Sequence, residues 1–139
     1  MANSHLVVLK RPYLDAILAG RKTVESRFMK TERAPFGKIA TGDRLFFKAS
    51  SGPVRATGRA GKVMDFENLT PKRVERIKRT YNGRIVGSEE YWAEKSGSKC
   101  GVLVWLEEVK AIEPVWIDKR DWRAWVVLMA EKDFGLLDG

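Results

Sequence analysis

Gly20-Arg21-Lys22-Thr23-Val24-Glu25-Ser26-Arg27 brings a lysine, a glutamate and an arginine to the start of a strand, directly behind a short apolar helix. In an extended segment successive side chains point to opposite faces, so Glu25 and Arg27 share one face while Val24 and Ser26 take the other. Lys22 falls on the second face, at the strand's mouth, unless the chain bends there. Taken alone, such a run also describes a solvated edge strand. What precedes it makes it more specific.

Leu6-Val7-Val8-Leu9 is an apolar run of strand length, and Lys10-Arg11-Pro12 follows it with Pro12 suited to the first turn of a helix. Tyr13, Leu14, Ile17 and Leu18 recur at helical spacing, and Gly20 supplies the left-handed residue that ends the helix. The unit is therefore strand, basic turn, short helix, glycine, charged strand. The unpaired N–H groups and partial positive charge of the helix N-terminus lie beside Lys10 and Arg11, a combination that suits a phosphate.

Leu9-Lys10-Arg11-Pro12-Tyr13 followed by Gly20, Lys22, Glu25 and Arg27 resembles the ASCH domain, a relative of the PUA fold, whose hallmark is glycine, any residue, lysine, two residues, glutamate, any residue, arginine. Gly42-Asp43-Arg44-Leu45-Phe46-Phe47, Glu89-Glu90-Tyr91-Trp92 and Val102-Leu103-Val104-Trp105-Leu106 fit the same family more loosely, so the likeness covers most of the chain as a single domain, residues 1–139. The resemblance implies an α+β fold: a small, PUA-like, curled β-barrel flanked by two or three short helices, with a cleft lined by the helix-to-strand motif. Members of that fold bind RNA or modified nucleobases. One similar branch removes the acetyl group from acetylcytidine with a lysine, a threonine two residues before the arginine, and a distant glutamate. Lys22 and Arg27 match that branch, but Glu25 stands where it carries threonine.

The 139 residues are enough for one core without covalent staples. Cys100 is the single cysteine and reads as a buried thiol near a strand start; His5 is the single histidine. No soft-ligand cluster for zinc is present, no metal or other cofactor is expected, and the usual serine or cysteine hydrolase arrangements have no histidine partner. The start Met1-Ala2-Asn3-Ser4-His5 leads straight into a strand, and no apolar run reaches membrane-span length, which points to a cytoplasmic protein with no membrane partner.

The net charge of +8 is uneven. Residues 1–62 hold 13 Lys and Arg against 4 Asp and Glu, a net of +9, whereas residues 63–139 hold 13 against 14, a net of −1. An asymmetry centred on the Lys22 run points to an anionic partner, and Arg55, Arg59 and Lys62 carry it into a second strand region. RNA or a nucleotide is the expected partner, with DNA also admitted.

Farther along, Arg44 to Lys48 reads as a strand, and residues 29–40 as a polar loop leading to a short strand near Ile39. Val54 to Met64 alternates small or apolar residues with basic ones, and its Gly58 and Gly61 mark bulges in a curling barrel. Thr70 caps a helix from Pro71, with Val74, Ile77 and Tyr81 on its buried face, a basic opposite face that reads as solvated, and Asn82-Gly83 at its end. Glu89 to Glu94 suggests a further helical turn, Gly101 to Val109 a long strand, and Asp121 to Leu128 a last element, either a helix turn followed by a strand or an edge strand. At least three of the five tryptophans are expected to be packing residues, Trp105 among them, with Tyr13 and Trp92 the better candidates for a ligand wall.

The expected function is a nucleic-acid-binding module. Lys10, Arg11 and Lys22 would contact phosphate, Tyr13, Arg21 and Arg27 would complete the basic cleft, and Glu25 would orient its cationic neighbours or accept from a base edge. The alternative is a small hydrolase of a modified nucleoside or of RNA in which Lys22 and Glu25 act as acid and base, aided by Glu67 or Glu90. Whether the chain turns over a substrate, and its oligomeric state, are left open by the sequence.

Overall fold

The computed structural model describes residues 2–118, 123–129 and 133–137. The apolar run becomes β1 (Ser4–Leu9), and the helix α1 (Arg11–Leu18) begins one residue after it, with Lys10 as its N-cap and Pro12 in the first turn. Leu14, Ala16 and Ile17 form its buried face. Gly20 takes φ +77, and the N–H groups of both Arg21 and Lys22 return to the Ala16 carbonyl at 3.0 and 3.1 Å. The chain therefore bends at the helix end before it enters β2 (Val24–Met29), and the bend carries Lys22 round to the side of Glu25.

Three further strands complete the wall: β3 (Arg44–Ala49), β4 (Val54–Phe66) and, after α2 (Pro71–Ile85) and α3 (Glu89–Lys95), β5 (Cys100–Val115); β6 (Trp125–Leu128) closes the order. The sheet runs β2-β5-β4-β3-β1-β6, antiparallel throughout except for the parallel β1/β3 pair. It curls into a half-barrel accompanied by three helices, an α+β architecture. The ladder shifts register between Thr57 and Arg59 and between Ala60 and Val63, so Gly58 and Gly61 sit where the strand bends. At Gly101 the backbone runs so close to the Phe28 ring that a Cβ would lie 2.5 Å from it. Alternation along β2 sends Val24 and Phe28 to a core with Trp92, Leu103, Val74 and Ile77, under α2 and α3. The barrel interior holds Val7, Leu45, Phe47, Val102 and Val104, covered by Leu14 and Ile17 of α1.

Several sequence expectations change. No strand forms near Ile39; the segment from Arg33 is a series of turns. Helix α2 passes through Gly83 to Ile85, because Val86 accepts the left-handed cap (φ 60) and the Asn82 side chain is engaged with Gly87 and Trp92 instead of ending the helix. Strand β5 continues past Glu107 and Glu108 to Val115, held by pairing with β4. Trp92 packs beside Phe28 and is absent from the lining of the cavity between β1 and β2, so it is core and not ligand wall. Trp125 is also buried, Trp105 is half-buried against Tyr81, and Trp116 is 73% exposed. Trp122 and the start of the Asp121–Leu128 element lie outside the described residues; its end is strand β6.

Candidate nucleic-acid cleft

Strands β1 and β2 are not neighbours in the sheet, and the half-barrel is open between them. A cavity of about 520 Å³ occupies that opening, the size range of a small-ligand site. Its floor is ionic. Glu25, 4% exposed, receives Lys22 Nζ (3.0 Å) and the Ser26 N–H (3.1 Å) on Oε1, and Arg27 Nε (3.0 Å) and a terminal N–H of Arg27 (2.7 Å) on Oε2. Lys22, 3% exposed, also donates to the carbonyls of Val24 (3.0 Å) and Ile85 (2.8 Å). An ammonium has three hydrogens, and all three have acceptors. Arg27 reaches across the gap to the Val8 carbonyl of β1 (2.8 Å) and the Ala124 carbonyl (3.3 Å), with its guanidinium 5.2 Å from the centre of the Trp125 ring. The motif thus ties β2 to β1, to the end of α2 and to the approach to β6.

Burial opposes the charge on Glu25, but Lys22 and Arg27 outweigh it and hold the carboxyl below its ordinary value. Glu25 is therefore an ionised acceptor with every direction engaged. Proton transfer by Lys22 or Glu25 would first require one of these contacts to open.

The walls are aromatic. The centre of the Tyr13 ring lies 5.3 Å from Lys22 Nζ and 6.1 Å, edge to face, from that of Tyr91, and the edge of the buried Trp125 also reaches the lining. The Tyr91 hydroxyl sits 2.6 Å from Ser26 Oγ and donates to the Ser26 carbonyl (3.2 Å); burial pushes its phenol well above the ordinary range, so it stays a neutral donor. Trp125 is fixed from behind. Its indole N–H donates to His5 Nδ1 (2.9 Å), which must then be the unprotonated nitrogen, so Nε2 carries the proton and donates to Asp43 Oδ2 (2.8 Å). Asp43 also accepts the backbone N–H groups of Asn3 and Ala40. Burial lowers the His5 pKa, outweighing the hydrogen bond and charge of Asp43.

The mouth is cationic. Lys10, Arg33 and Lys95 line it, and none of the three forms an ion pair within 4 Å among the described residues. Burial lowers the Lys95 pKa; Glu94 works against that, and Arg27, Arg33 and Lys10 add to it. Lys95 lies over the Tyr91 ring at 5.4 Å.

The structure brings Lys10, Tyr13, Lys22, Glu25 and Arg27 together around one cavity. It leaves out Arg11, whose exposed side chain lies 3.9 Å from Asp15 along α1, and Arg21, which is exposed outside the lining. Glu67 and Glu90 are outside it too, and Glu94 is the glutamate at the rim. Arg33, Lys95, Ser26, Tyr91 and Trp125 escaped the sequence reading, for they belong to a polar loop, two short elements and the unremarkable face of β2. Among the described residues there is no group of three or more His, Cys, Asp or Glu placed to hold a metal, and no helix long and apolar enough to cross a membrane.

Against solved structures, the chain superimposes on the ASCH protein of Zymomonas mobilis with a TM-score of 0.73 at 18% identity, over 97% of this chain and 94% of that one. The fold is that of an ASCH domain. A single-residue variant of the same Zymomonas protein gives 0.72 at 16% identity, covering 97% and 96% of the two chains. The N-terminal domain of McrB from Staphylothermus marinus is a more distant match to this ASCH fold, with a TM-score of 0.51 at 12% identity over 81% of this chain and 75% of that one. No protein-family model and no curated protein matches the sequence.

Proposed function

We propose that this ASCH-fold domain binds a nucleotide unit of a nucleic acid, RNA in the first place, in the cavity between β1 and β2. The observation that carries this reading is the division of charge within the site: the floor cations are consumed by Glu25 and by backbone carbonyls, while Lys10, Arg33 and Lys95 at the mouth keep donors for an anion. Tyr13 and Tyr91 offer aromatic surface to a base, and such stacking contributes about 1–3 kcal/mol per base. Lys22, Glu25 and Arg27 serve as the rigid floor that holds those walls in place, and Arg11 and Arg21 act only as distant positive charge. A hydrolase using Lys22 and Glu25 would have to dismantle its own floor, which favours binding over turnover.

The test is equilibrium binding of adenosine monophosphate and of a single-stranded RNA dodecamer, alongside a hydrolysis panel of acylated nucleosides. Binding of both ligands, weakened about tenfold by Lys10→Ala combined with Lys95→Ala and by rising salt, and no turnover are expected. Turnover by the wild type that vanishes in Lys22→Arg would overturn the reading in favour of the hydrolase.

A further inference from the structure

Helix α2 carries six cations, Lys72, Arg73, Arg76, Lys78, Arg79 and Arg84, against one acid, Glu75. Two of them have local work: Arg73 donates to the carbonyls of Glu67 and Asn68, and Lys78 pairs with Glu89 at 3.1 Å. Lys72, Arg76, Arg79 and Arg84 are exposed and form no ion pair among the described residues. Lys72, Arg76 and Arg79 follow one another at four and three residues, so they line a single stripe, opposite the face that buries Val74, Ile77 and Ile85. Like charges at that spacing destabilise a helix, and Glu75, three residues after Lys72 and four before Arg79, is the one acid of α2 placed to offset them. Glu75 stands to one side of the stripe, and the side chain of Thr80, on the other, is turned back to the Arg76 carbonyl (2.8 Å).

The place of the stripe in the fold gives it meaning. Ile85 ends α2, lines the cavity and binds Lys22 through its carbonyl. The helix therefore leads away from the cavity rim, and the stripe lies about two to four turns from it.

We infer that the exposed stripe of α2 is a second nucleic-acid contact, one that holds the phosphate backbone of the same polynucleotide whose unit occupies the cavity. From Lys72 to Arg79 the helix rises about 10 Å, a length over which one strand of a duplex carries about three phosphates at about 3.4 Å each, one for each cation. Contacts of this kind fix position without reading sequence. A ligand that reaches both surfaces gains from effective concentration what neither surface supplies alone. The choice of nucleic acid as partner rests on the reading of the cavity; the existence of a second anion-binding surface does not.

The experiment compares the wild type with the triple variant Lys72→Gln, Arg76→Gln, Arg79→Gln by fluorescence anisotropy, using adenosine monophosphate, a single-stranded RNA dodecamer, a duplex dodecamer and a poly-glutamate peptide across a range of salt. The substitutions are exposed and remove both the repulsion along the stripe and its offset by Glu75, so the melting temperature should change little. The expected result is unchanged monophosphate binding, at least tenfold weaker binding of one or both dodecamers, and a slope of log affinity on log salt shallower by about 2 for the single strand, at about 0.7 per phosphate. If the monophosphate fails to bind the wild type while the triple variant still loses dodecamer affinity, the stripe stands and the cavity reading falls. An unchanged dodecamer affinity and salt slope in the variant would overturn the stripe. Tighter binding of poly-glutamate than of either dodecamer would overturn it as a nucleic-acid surface and make the partner an acidic protein segment.

Discussion

The floor and the mouth of the cavity are built from the same residue types, yet they hold charge in opposite ways. At the floor, Lys22, Glu25 and Arg27 are buried or nearly so, and each finds its partners within the fold, including the Val8 carbonyl of β1 and the Ile85 carbonyl at the end of α2. At the mouth, Lys10, Arg33 and Lys95 line the open cavity and have no carboxylate within 4 Å among the described residues. Burial decides the difference. A buried ion must be satisfied from within or it destabilises the fold, whereas a cation at a rim keeps water as its partner until a ligand displaces it. Lysine or arginine in a motif is therefore weak evidence for ligand contact until its hydrogens have been counted.

The largest effect should come from breaking the floor. Glu25→Gln keeps the shape but leaves Lys22 and Arg27 without their counter-ion, and removal of one partner from a buried network costs about 3–5 kcal/mol. Urea denaturation would measure it. A loss below about 1 kcal/mol would mean that the network is solvated and that floor and mouth do not differ as argued.

A pH series sharpens the comparison by about 1.4 kcal/mol per unit at most. His5 is held neutral between Trp125 and Asp43, and its pKa in the folded state is lowered from 6.5. Below about pH 6.5 the unfolded chain binds a proton that the folded chain refuses, so stability is full above that pH and falls as the pH drops toward the folded value. Glu25, also lowered, adds a loss of the same sign at more acid pH, below 4.5. His5→Gln, which can still accept from Trp125 and donate to Asp43 without titrating, should flatten the upper part of the profile. A slope that persists in that variant would assign the titration elsewhere.

The smallest effect on stability should come from the mouth. Lys95 is charged at some expense, since burial and its cationic neighbours lower its pKa. Lys95→Gln should move the unfolding free energy by less than about 0.5 kcal/mol, in either direction, while weakening nucleotide binding several-fold. Calorimetric unfolding and a binding isotherm on the same sample would check both halves; a large stability loss would place Lys95 with the floor.

The first strand–helix–strand unit was legible because its signals are local, whereas the curled barrel came from the family resemblance. The β1 run, Pro12, the helical spacing of α1 and Gly20 fix the first unit, and alternation along β2 places Glu25 and Arg27 together. What failed was local chemistry redirected by distant partners. Asn82-Gly83 looks like a helix stop, but Asn82 is occupied by Gly87 and Trp92, and Val86 takes the left-handed cap. Trp92 looked available and is packed against Phe28. Lys22 looked like an anion anchor because its third acceptor, the Ile85 carbonyl, lies 63 residues away. The His5–Trp125 bond spans 120 residues, and no periodicity announces it. Arg33 and Lys95 carried no motif, and only the fold brings them to the same rim.

The division between floor and mouth is tested most directly by following the lysine side chains themselves. In a lysine Hε–Cε correlation spectrum titrated with adenosine monophosphate, Lys10 and Lys95 should shift in proportion to saturation while Lys22 stays still; a Lys22 resonance that moves first and farthest would contradict the account and return the ligand to the floor.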